Sequence, residues 1–173
     1  MKKIAITGGI GTGKTYISRL FLEMGIPVFY ADEEAKRCYA EPDIIEGIRS
    51  FFGEEVFTEG KIDFKKMARF VFQDPKKREL VNGLIHPKVM AWFDAWAEKQ
   101  GTSSVMMETA ILYENGLEKY FDMVIVVDAP MEVRIERIKK RNPDLSAQEI
   151  RERILAQMPQ EEKCKRADMV ISN

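Results

Sequence analysis

The sequence predicts an α/β protein whose strands form a parallel sheet. A short apolar strand, "KKIAIT", opens the chain and leads into a glycine-rich loop and a helix. Apolar strands return at "SSVMMETAIL" and "DMVIVVDAP", and more weakly at "DMVISN". Helical segments separate these strands, which is the pattern of a parallel sheet covered by helices.

The glycine-rich loop predicts a phosphate site. Gly8, Gly13, Lys14 and Thr15 fit G-x-x-x-x-G-K-[ST], in which backbone N–H groups surround phosphate oxygens, the lysine reaches the β- and γ-phosphates and the hydroxyl binds Mg²⁺. A glycine-rich turn that binds nothing is the alternative, but the strand before the loop and the helix after it favour nucleotide binding. The expected triphosphate contacts are Gly8, Gly9, Gly11, Thr12, Gly13, Lys14, Thr15 and Tyr16.

The segment after the first helix predicts a helical insertion. "IPVFYAD" is a short second strand that closes on Asp32, and no further strand is expected before residue 100. The segments up to that point have helical patterns, and we expect Pro87 to bend or break the longest helix. Trp92, Phe93 and Trp96 are expected in the core of the insertion, with the lining of a ligand groove as the alternative.

The last part of the chain predicts a helix over Met131–Arg141, a break at "NPDLS" and another helix, for which Ser146 and Glu149 form a capping box. We therefore predict one domain over residues 1–173. Its core covers about 1–31, 102–141 and 167–173, its helical insertion about 32–101, and its helical lid about 141–160.

Composition excludes several classes of protein. The net charge is −1 over 173 residues, so no strong basic field attracts nucleic acid. No apolar run is long enough for a membrane span, and a strand at the N-terminus leaves no room for a signal peptide. Cys38 and Cys164 have neither metal-ligand spacing nor a disulfide framework. We expect a cytoplasmic protein that binds no nucleic acid or membrane, as a monomer or weak homo-oligomer.

Phosphate loops occur in kinases, motors and GTPases. The guanine-reading N-K-x-D sequence is absent from this chain, and a small protein with a helical insertion and an arginine-rich helix has the layout of a small-molecule kinase. Several motifs follow one another along the chain: "TGGIGTGK", "AD" at 31–32, "HP" at 86–87, "AILYENGLEKYFD", "VVDAPMEVRIERIKKR", Gln157 and "KRADMVISN". In this ordered set, the chain resembles the dephospho-coenzyme A kinases. The family usually continues into a further helix, whereas this sequence ends at Asn173.

The resemblance implies a P-loop nucleoside/nucleotide kinase fold with a three-layer parallel sheet, an acceptor-binding helical insertion and a helical lid. It also implies that ATP, with Mg²⁺, phosphorylates the ribose 3′-hydroxyl of dephospho-coenzyme A. A nucleoside monophosphate kinase or another small-molecule kinase is the nearest alternative. An ATP-binding switch that transfers no phosphate is the alternative from another class.

The resemblance also implies roles for several acidic residues. Asp32 is expected to accept or orient the proton of the acceptor hydroxyl, with an N-cap of the next helix as the structural alternative. Tyr30 stands where similar proteins often carry a second acid. Glu108 is the expected metal-side acid, through water, whereas Asp128 is expected to cap the helix after it. Glu114 is a candidate for shaping the acceptor side.

Basic residues complete the predicted site. Arg137 and Arg141 lie four residues apart on one helix face and can clamp ATP phosphates, because a guanidinium binds phosphoryl oxygens bidentately. The alternative for both is a solvated helix face. Arg134 is given no role. His86, the one histidine of the chain, is a candidate acceptor contact, with a buried structural histidine as the alternative. Lys14, Asp32 and Arg141 are the expected catalytic residues.

Overall fold

The computed structural model of the chain describes the backbone of residues 1–173 and all side chains except those at positions 72 and 73. Two compact units can be distinguished: Met1–Tyr30 with Ala97–Asn173, and Ala31–Trp96. We call them the sheet unit and the helical unit. Within the described residues, no helix has the length and apolar character needed to span a membrane.

The sheet unit contains five parallel strands in the order β2-β5-β1-β6-β7. Its strands are β1 (Lys2–Thr7), β2 (Val28–Tyr30), β5 (Ser104–Glu108), β6 (Met123–Asp128) and β7 (Met169–Ser172). Its helices are α1 (Lys14–Glu23), α6 (Met131–Arg141), α7 (Ala147–Leu155) and α8 (Gln160–Arg166). The predicted α/β class with a parallel sheet is confirmed.

Alternation of side chains along the strands gives the sheet two apolar faces. Ile6, Met106 and Ile125 pack with Ile17 of α1 on one face. Ala5, Val124 and Val126 pack with Leu112 on the other. Covering both faces explains why these strands are almost continuously apolar rather than alternating with polar residues. It also leaves the carboxyl ends of the strands as the edge where ligands bind in open sheets of this kind.

The helical unit is built from α2 (Ala31–Cys38), α3 (Pro42–Phe52), α4 (Phe64–Gln73) and α5 (Pro75–Glu98), the last of which continues into the sheet unit. Its core includes Ile44, Ile48, Phe52, Ile85, Val89 and Phe93. The unit also contains a short antiparallel hairpin, β3 (Phe57–Thr58) paired with β4 (Lys61–Ile62). The expectation of no strand before residue 100 was therefore wrong, because two-residue strands around Glu59–Gly60 are too short for an alternating pattern.

Two local predictions about helices, the break at Pro87 and the cap at Asp128, also need correction. Helix α5 runs without a break through Pro87, and buried Ile85 and Val89 continue one apolar face on both sides of it. Packing of that face holds the helix together despite the hydrogen bond that a proline removes. Asp128 does not cap α6: the N-cap is Pro130, and among the described side chains none caps this helix.

The capping box at α7 is confirmed. The Glu149 backbone N–H donates to Ser146 Oγ at 3.2 Å, and the Ser146 N–H donates to Glu149 Oε2 at 2.7 Å. These reciprocal bonds satisfy two N–H groups that the helix cannot pair by itself. They also hold the pKa of the Glu149 carboxyl below its ordinary value, the side chain of Ser146 being the main cause.

Candidate active site

The phosphate loop, residues 8–15, follows β1 and leads directly into α1. Gly8, Gly11 and Gly13 have φ of 147°, 83° and 91°, values that side chains of L-residues rarely adopt. A Cβ on Gly8 would lie 2.4 Å from the carbonyl oxygen of Val127, so the loop passes too close to β6 for any larger residue. The loop presents the first turn of α1 and the positive end of its dipole, an arrangement that binds anions.

The side chains of Lys14 and Thr12 contact the backbone of the loop. Lys14 is buried, and its Nζ lies 3.4 Å from the Gly9 carbonyl oxygen, so the ammonium group folds back along the loop. The Thr12 hydroxyl donates to the same carbonyl at 2.9 Å, which tightens the turn. A lysine held in this way brings positive charge to the loop that phosphate oxygens would approach.

Glu108 lies at the carboxyl end of β5, next to β1 as the resemblance implied. Its carboxylate is buried and accepts hydrogen bonds from Thr15 Oγ1 at 3.0 Å and Ser18 Oγ at 2.9 Å. Because the Thr15 hydrogen is directed at Glu108, the lone pairs of this hydroxyl are available on its other side. Sequence reasoning missed Ser18, which lies one helical turn after Thr15.

The oxygen atoms of Thr15 and Glu108 fit Mg²⁺, which prefers hard oxygen ligands. Among the described residues, no cluster of three or more His, Cys, Asp or Glu side chains could hold a metal ion. Mg²⁺ in kinases is usually held by one or two protein oxygens together with substrate phosphates and water. The pair therefore suits a magnesium ion that arrives with a nucleotide.

Helix α6 contacts the loop through Arg137 and Arg134, one of which was not expected. Arg137 Nη1 donates to the Thr12 carbonyl at 3.1 Å. Arg134 Nε donates to the Ile10 carbonyl at 2.9 Å and its side chain is buried. Burial lowers the pKa of this guanidinium, and the negative charge of Asp128 acts in the opposite direction. Sequence reasoning had singled out Arg137 and not Arg134, and the structure shows that both contact the loop.

Arg141 is exposed at the last residue of α6. It lies four residues, or about 6 Å along the helix axis, beyond Arg137. The structure therefore separates the two predicted clamp residues: Arg137 touches the loop, and Arg141 lies one turn further along the helix.

Glu114 forms an ion pair with a buried lysine. Its Oε1 lies 2.6 Å from Nζ of Lys163, which is fully buried, and accepts a hydrogen bond from the Met158 N–H at 3.1 Å. Lys163 also donates to the Ala110 carbonyl at 2.8 Å. These contacts join the segment after β5 to α8.

The two remaining predicted residues lie in the helical unit. Asp32 is exposed in the first turn of α2, which begins at Ala31. It is thus within the helix rather than before it, so the N-cap alternative does not hold. His86 is half-buried in α5, and burial lowers the pKa of its imidazole.

Comparison with known proteins identifies the class and then the family. The structure resembles a shikimate kinase from Bacteroides thetaiotaomicron, with a TM-score of 0.53 at 15% identity over 99% of this chain and 85% of the other. It also resembles a dephospho-CoA kinase from Campylobacter jejuni, with a TM-score of 0.66 at 24% identity over 99% and 87%. The fold and the loop are those of a P-loop kinase.

The family model described as dephospho-CoA kinase matches residues 2–173. Proteins named dephospho-CoA kinase from Bacteroides fragilis and Geobacillus kaustophilus are 42% and 38% identical, over 99% and 98% of this chain and 84% and 87% of theirs. A crystal structure from Thermus thermophilus has a TM-score of 0.89 at 34% identity over 99% and 88%. The chain belongs to the dephospho-CoA kinase family, and it is an ATP-dependent kinase.

Proposed function

We propose that the protein transfers the γ-phosphoryl group of ATP to the ribose 3′-hydroxyl of dephospho-coenzyme A, producing coenzyme A and ADP. Family membership over residues 2–173 is the observation that carries this proposal. The loop, Lys14 and the Thr15–Glu108 pair support it as the parts that bind a triphosphate.

In this mechanism, a bond forms between the acceptor 3′-oxygen and the γ-phosphorus, and the bond from that phosphorus to the β–γ bridging oxygen breaks. Asp32 orients the acceptor hydroxyl and takes its proton. Lys14 holds the β- and γ-phosphates, and Arg137 and Arg141 add positive charge around the transferring group. Charge that meets the phosphoryl oxygens in the transition state lowers the barrier, because the reaction has little covalent chemistry for the protein to do.

Magnesium belongs to this proposal. Thr15 would bind the ion directly, and Glu108 would hold it through water and orient the Thr15 hydroxyl. When bound, Mg²⁺ neutralises charge on the β- and γ-phosphates. The hydrogen bonds from Thr15 and Ser18 to Glu108 hold these side chains in position.

The proposal also assigns a role to each part of the chain. The core is assigned to about 1–31, 102–141 and 167–173, the acceptor-binding insertion to about 32–101, and the lid to about 141–160. His86 is assigned to the acceptor side. Glu114 shapes that side indirectly, since its ion pair with Lys163 fixes the segment after β5. The two free cysteines support a cytoplasmic location, and we expect a monomer or weak homo-oligomer.

The test is an acceptor panel. The purified protein is incubated with Mg·ATP and either dephospho-coenzyme A, AMP, adenosine or shikimate, and products are identified by mass. Coenzyme A, which already carries the 3′-phosphate, is the matched inert acceptor. We expect kcat/KM to be highest for dephospho-coenzyme A. A higher value for AMP would assign the protein to nucleoside monophosphate kinases, and ATP hydrolysis that no acceptor stimulates would indicate a switch.

A further inference from the structure

Two glutamines that are not among the predicted phosphate contacts accept hydrogen bonds from backbone N–H groups of the phosphate loop. We call the side of the loop on which they lie its outer side. The Gly9 N–H donates to Gln160 Oε1 at 2.9 Å, and the Ile10 N–H donates to Gln157 Oε1 at 2.8 Å. Both glutamines are half-buried, one just after α7 and the other at the start of α8. Two successive amides of the loop are thus paired with side chains that come from 151 and 147 residues later in the chain.

Gln160 also connects the loop to the sheet. Its Nε2 donates to the Val127 carbonyl at 2.9 Å while its Oε1 accepts from Gly9. Val127 lies in β6, next to the strand from which the loop emerges. Both ends of one amide are therefore used, and the loop is tied to the end of β6 at a fixed distance.

The carbonyl groups of the loop are held on the outside as well. Arg134 Nε donates to the Ile10 carbonyl at 2.9 Å, and Asn173 Nδ2 donates to the Thr12 carbonyl at 2.9 Å. In a planar trans peptide, the carbonyl oxygen and the N–H of the next residue point in opposite directions. Holding the carbonyls of Ile10 and Thr12 outside therefore directs the N–H groups of Gly11 and Gly13 to the inner side.

We propose that Gln157 and Gln160 are positioning residues that keep the loop in its phosphate-binding shape before ATP arrives. This inference rests on the proposed function, in which the loop binds the triphosphate of ATP. A glycine-rich loop loses much conformational freedom when it becomes ordered. With the outer amides of Gly9 and Ile10 already paired, part of that loss is incurred during folding rather than during nucleotide binding, which improves affinity.

The chemistry of glutamine suits this position. The outer amides need an acceptor, and the oxygen of a neutral amide supplies one without adding negative charge close to the triphosphate. A glutamate would accept the same hydrogen bonds but would repel the ligand, and an arginine or lysine could not accept them. Glutamine thus positions the loop and leaves its positive field unchanged.

The test compares Gln157→Leu and Gln160→Leu with the wild type and with Gln148→Leu. Gln148 is an exposed glutamine of α7 that donates to Glu152. Calorimetry measures the binding of Mg·ATP and of inorganic tripolyphosphate, which reports on phosphate contacts alone. We expect about tenfold weaker binding of both ligands in each loop variant, a KM for ATP raised by the same factor, and a kcat at saturating ATP that changes much less.

The outcomes separate a positioning role from a structural one and from failure of the function itself. Loop variants that melt earlier yet bind tripolyphosphate like the wild type would overturn the positioning role and leave the kinase function intact. A wild type that does not bind tripolyphosphate would overturn both. A measurement on the nucleotide-free wild type does not depend on any variant folding: we expect slow hydrogen exchange at the Gly9 and Ile10 amides, and exchange at the rate of an unprotected chain would refute the inference.

Discussion

The sheet unit and the helical unit use their polar side chains differently. In the sheet unit, side chains such as Gln157, Gln160 and Arg134 bind the backbone of the phosphate loop and determine its geometry. In the helical unit, charged groups pair with one another on the surface. Lys88, for example, lies 3.0 Å from Glu41 and 2.5 Å from Asp43.

Because of this difference, we expect the two units to be sensitive to different kinds of substitution. Exposed ion pairs contribute little to stability, so the helical unit depends on its apolar core. The loop depends on hydrogen bonds to buried backbone groups, whose loss leaves an unpaired polar atom. Substitutions at the loop should therefore change ATP binding and turnover, whereas substitutions in the helical core should change stability.

The largest effect is expected for Lys14→Ala. Removing the ammonium group takes away a positive charge that stabilises the transferring phosphoryl group, and we expect kcat/KM to fall by about 10³-fold. Steady-state kinetics with dephospho-coenzyme A measures this. Lys140→Ala is the matched control, because Lys140 is exposed and pairs with an exposed glutamate on α6. A loss below tenfold in Lys14→Ala would contradict the role of this lysine.

Phe93→Ala tests the helical unit. Phe93 is fully buried and stacks on Trp96 with ring centroids 6.0 Å apart. We expect the free energy of unfolding to fall by about 3–5 kcal/mol, measured by denaturant titration, with ATP affinity by calorimetry within about twofold of wild type if the variant is folded. Phe51→Ala removes an exposed phenylalanine of α3 and should have little effect. A large drop in ATP affinity for folded Phe93→Ala would break the contrast between the units.

Asp32→Ala tests the one predicted catalytic acid in the helical unit. Loss of the group that orients the acceptor hydroxyl should lower kcat by about 10²-fold and leave ATP binding intact. Glu33→Ala, an exposed neighbour in α2, is the control. Steady-state kinetics measures kcat, and calorimetry on the same preparations measures ATP binding. Near-normal turnover of Asp32→Ala would contradict the proposed role of Asp32.

Glu108→Gln keeps the size of the side chain but removes the charge and replaces one of the two oxygens that accept from Thr15 and Ser18 with an NH₂ donor. We expect the Mg²⁺ concentration for half-maximal activity to rise by about tenfold. Titrating Mg²⁺ at constant ATP measures the shift, with Glu132→Gln on the exposed face of α6 as the control. An unchanged requirement for Mg²⁺ would argue that Glu108 only positions the two hydroxyls.

The smallest effect is expected for His86. Burial lowers the pKa of this imidazole in the folded protein, so the unfolded chain binds the proton more readily, with an ordinary pKa of about 6.5. Stability therefore decreases as the pH falls below about 6.5. Denaturant titrations between pH 8 and pH 5 should show a smaller decrease for His86→Leu than for wild type. Equal decreases would mean that other groups cause the loss.

Much of the sheet unit could be predicted because its signals are local. The loop motif, the apolar strands and the capping box at Ser146 each lie within a few residues, and their backbone consequences do not depend on distant parts of the chain. The placement of Glu108 beside β1 came from the family resemblance and not from any local pattern. The hairpin at residues 57–62 was missed because two-residue strands carry almost no periodicity.

The contacts of the site could be predicted less well. Gln157 appeared only among the residues that resemble the family, and Gln160 was missed, although the two lie three residues apart around Pro159. Arg134 and Arg137 share a helix face with the same spacing. For the two arginines this spacing indicates a common direction, whereas Gln157 lies outside the helices. In neither case does the sequence show which distant backbone the side chains meet.

By itself, the sequence determined the α/β class, the phosphate loop and the identity of its lysine and threonine, because glycine conformation and short-range periodicity are properties of neighbouring residues. Only the tertiary structure decided that Gln157, Gln160 and Arg134 hold the outside of the loop while Arg141 lies beyond it. These contacts join segments more than 120 residues apart, and such pairings arise from the packing of the sheet and its helices, which no local pattern encodes.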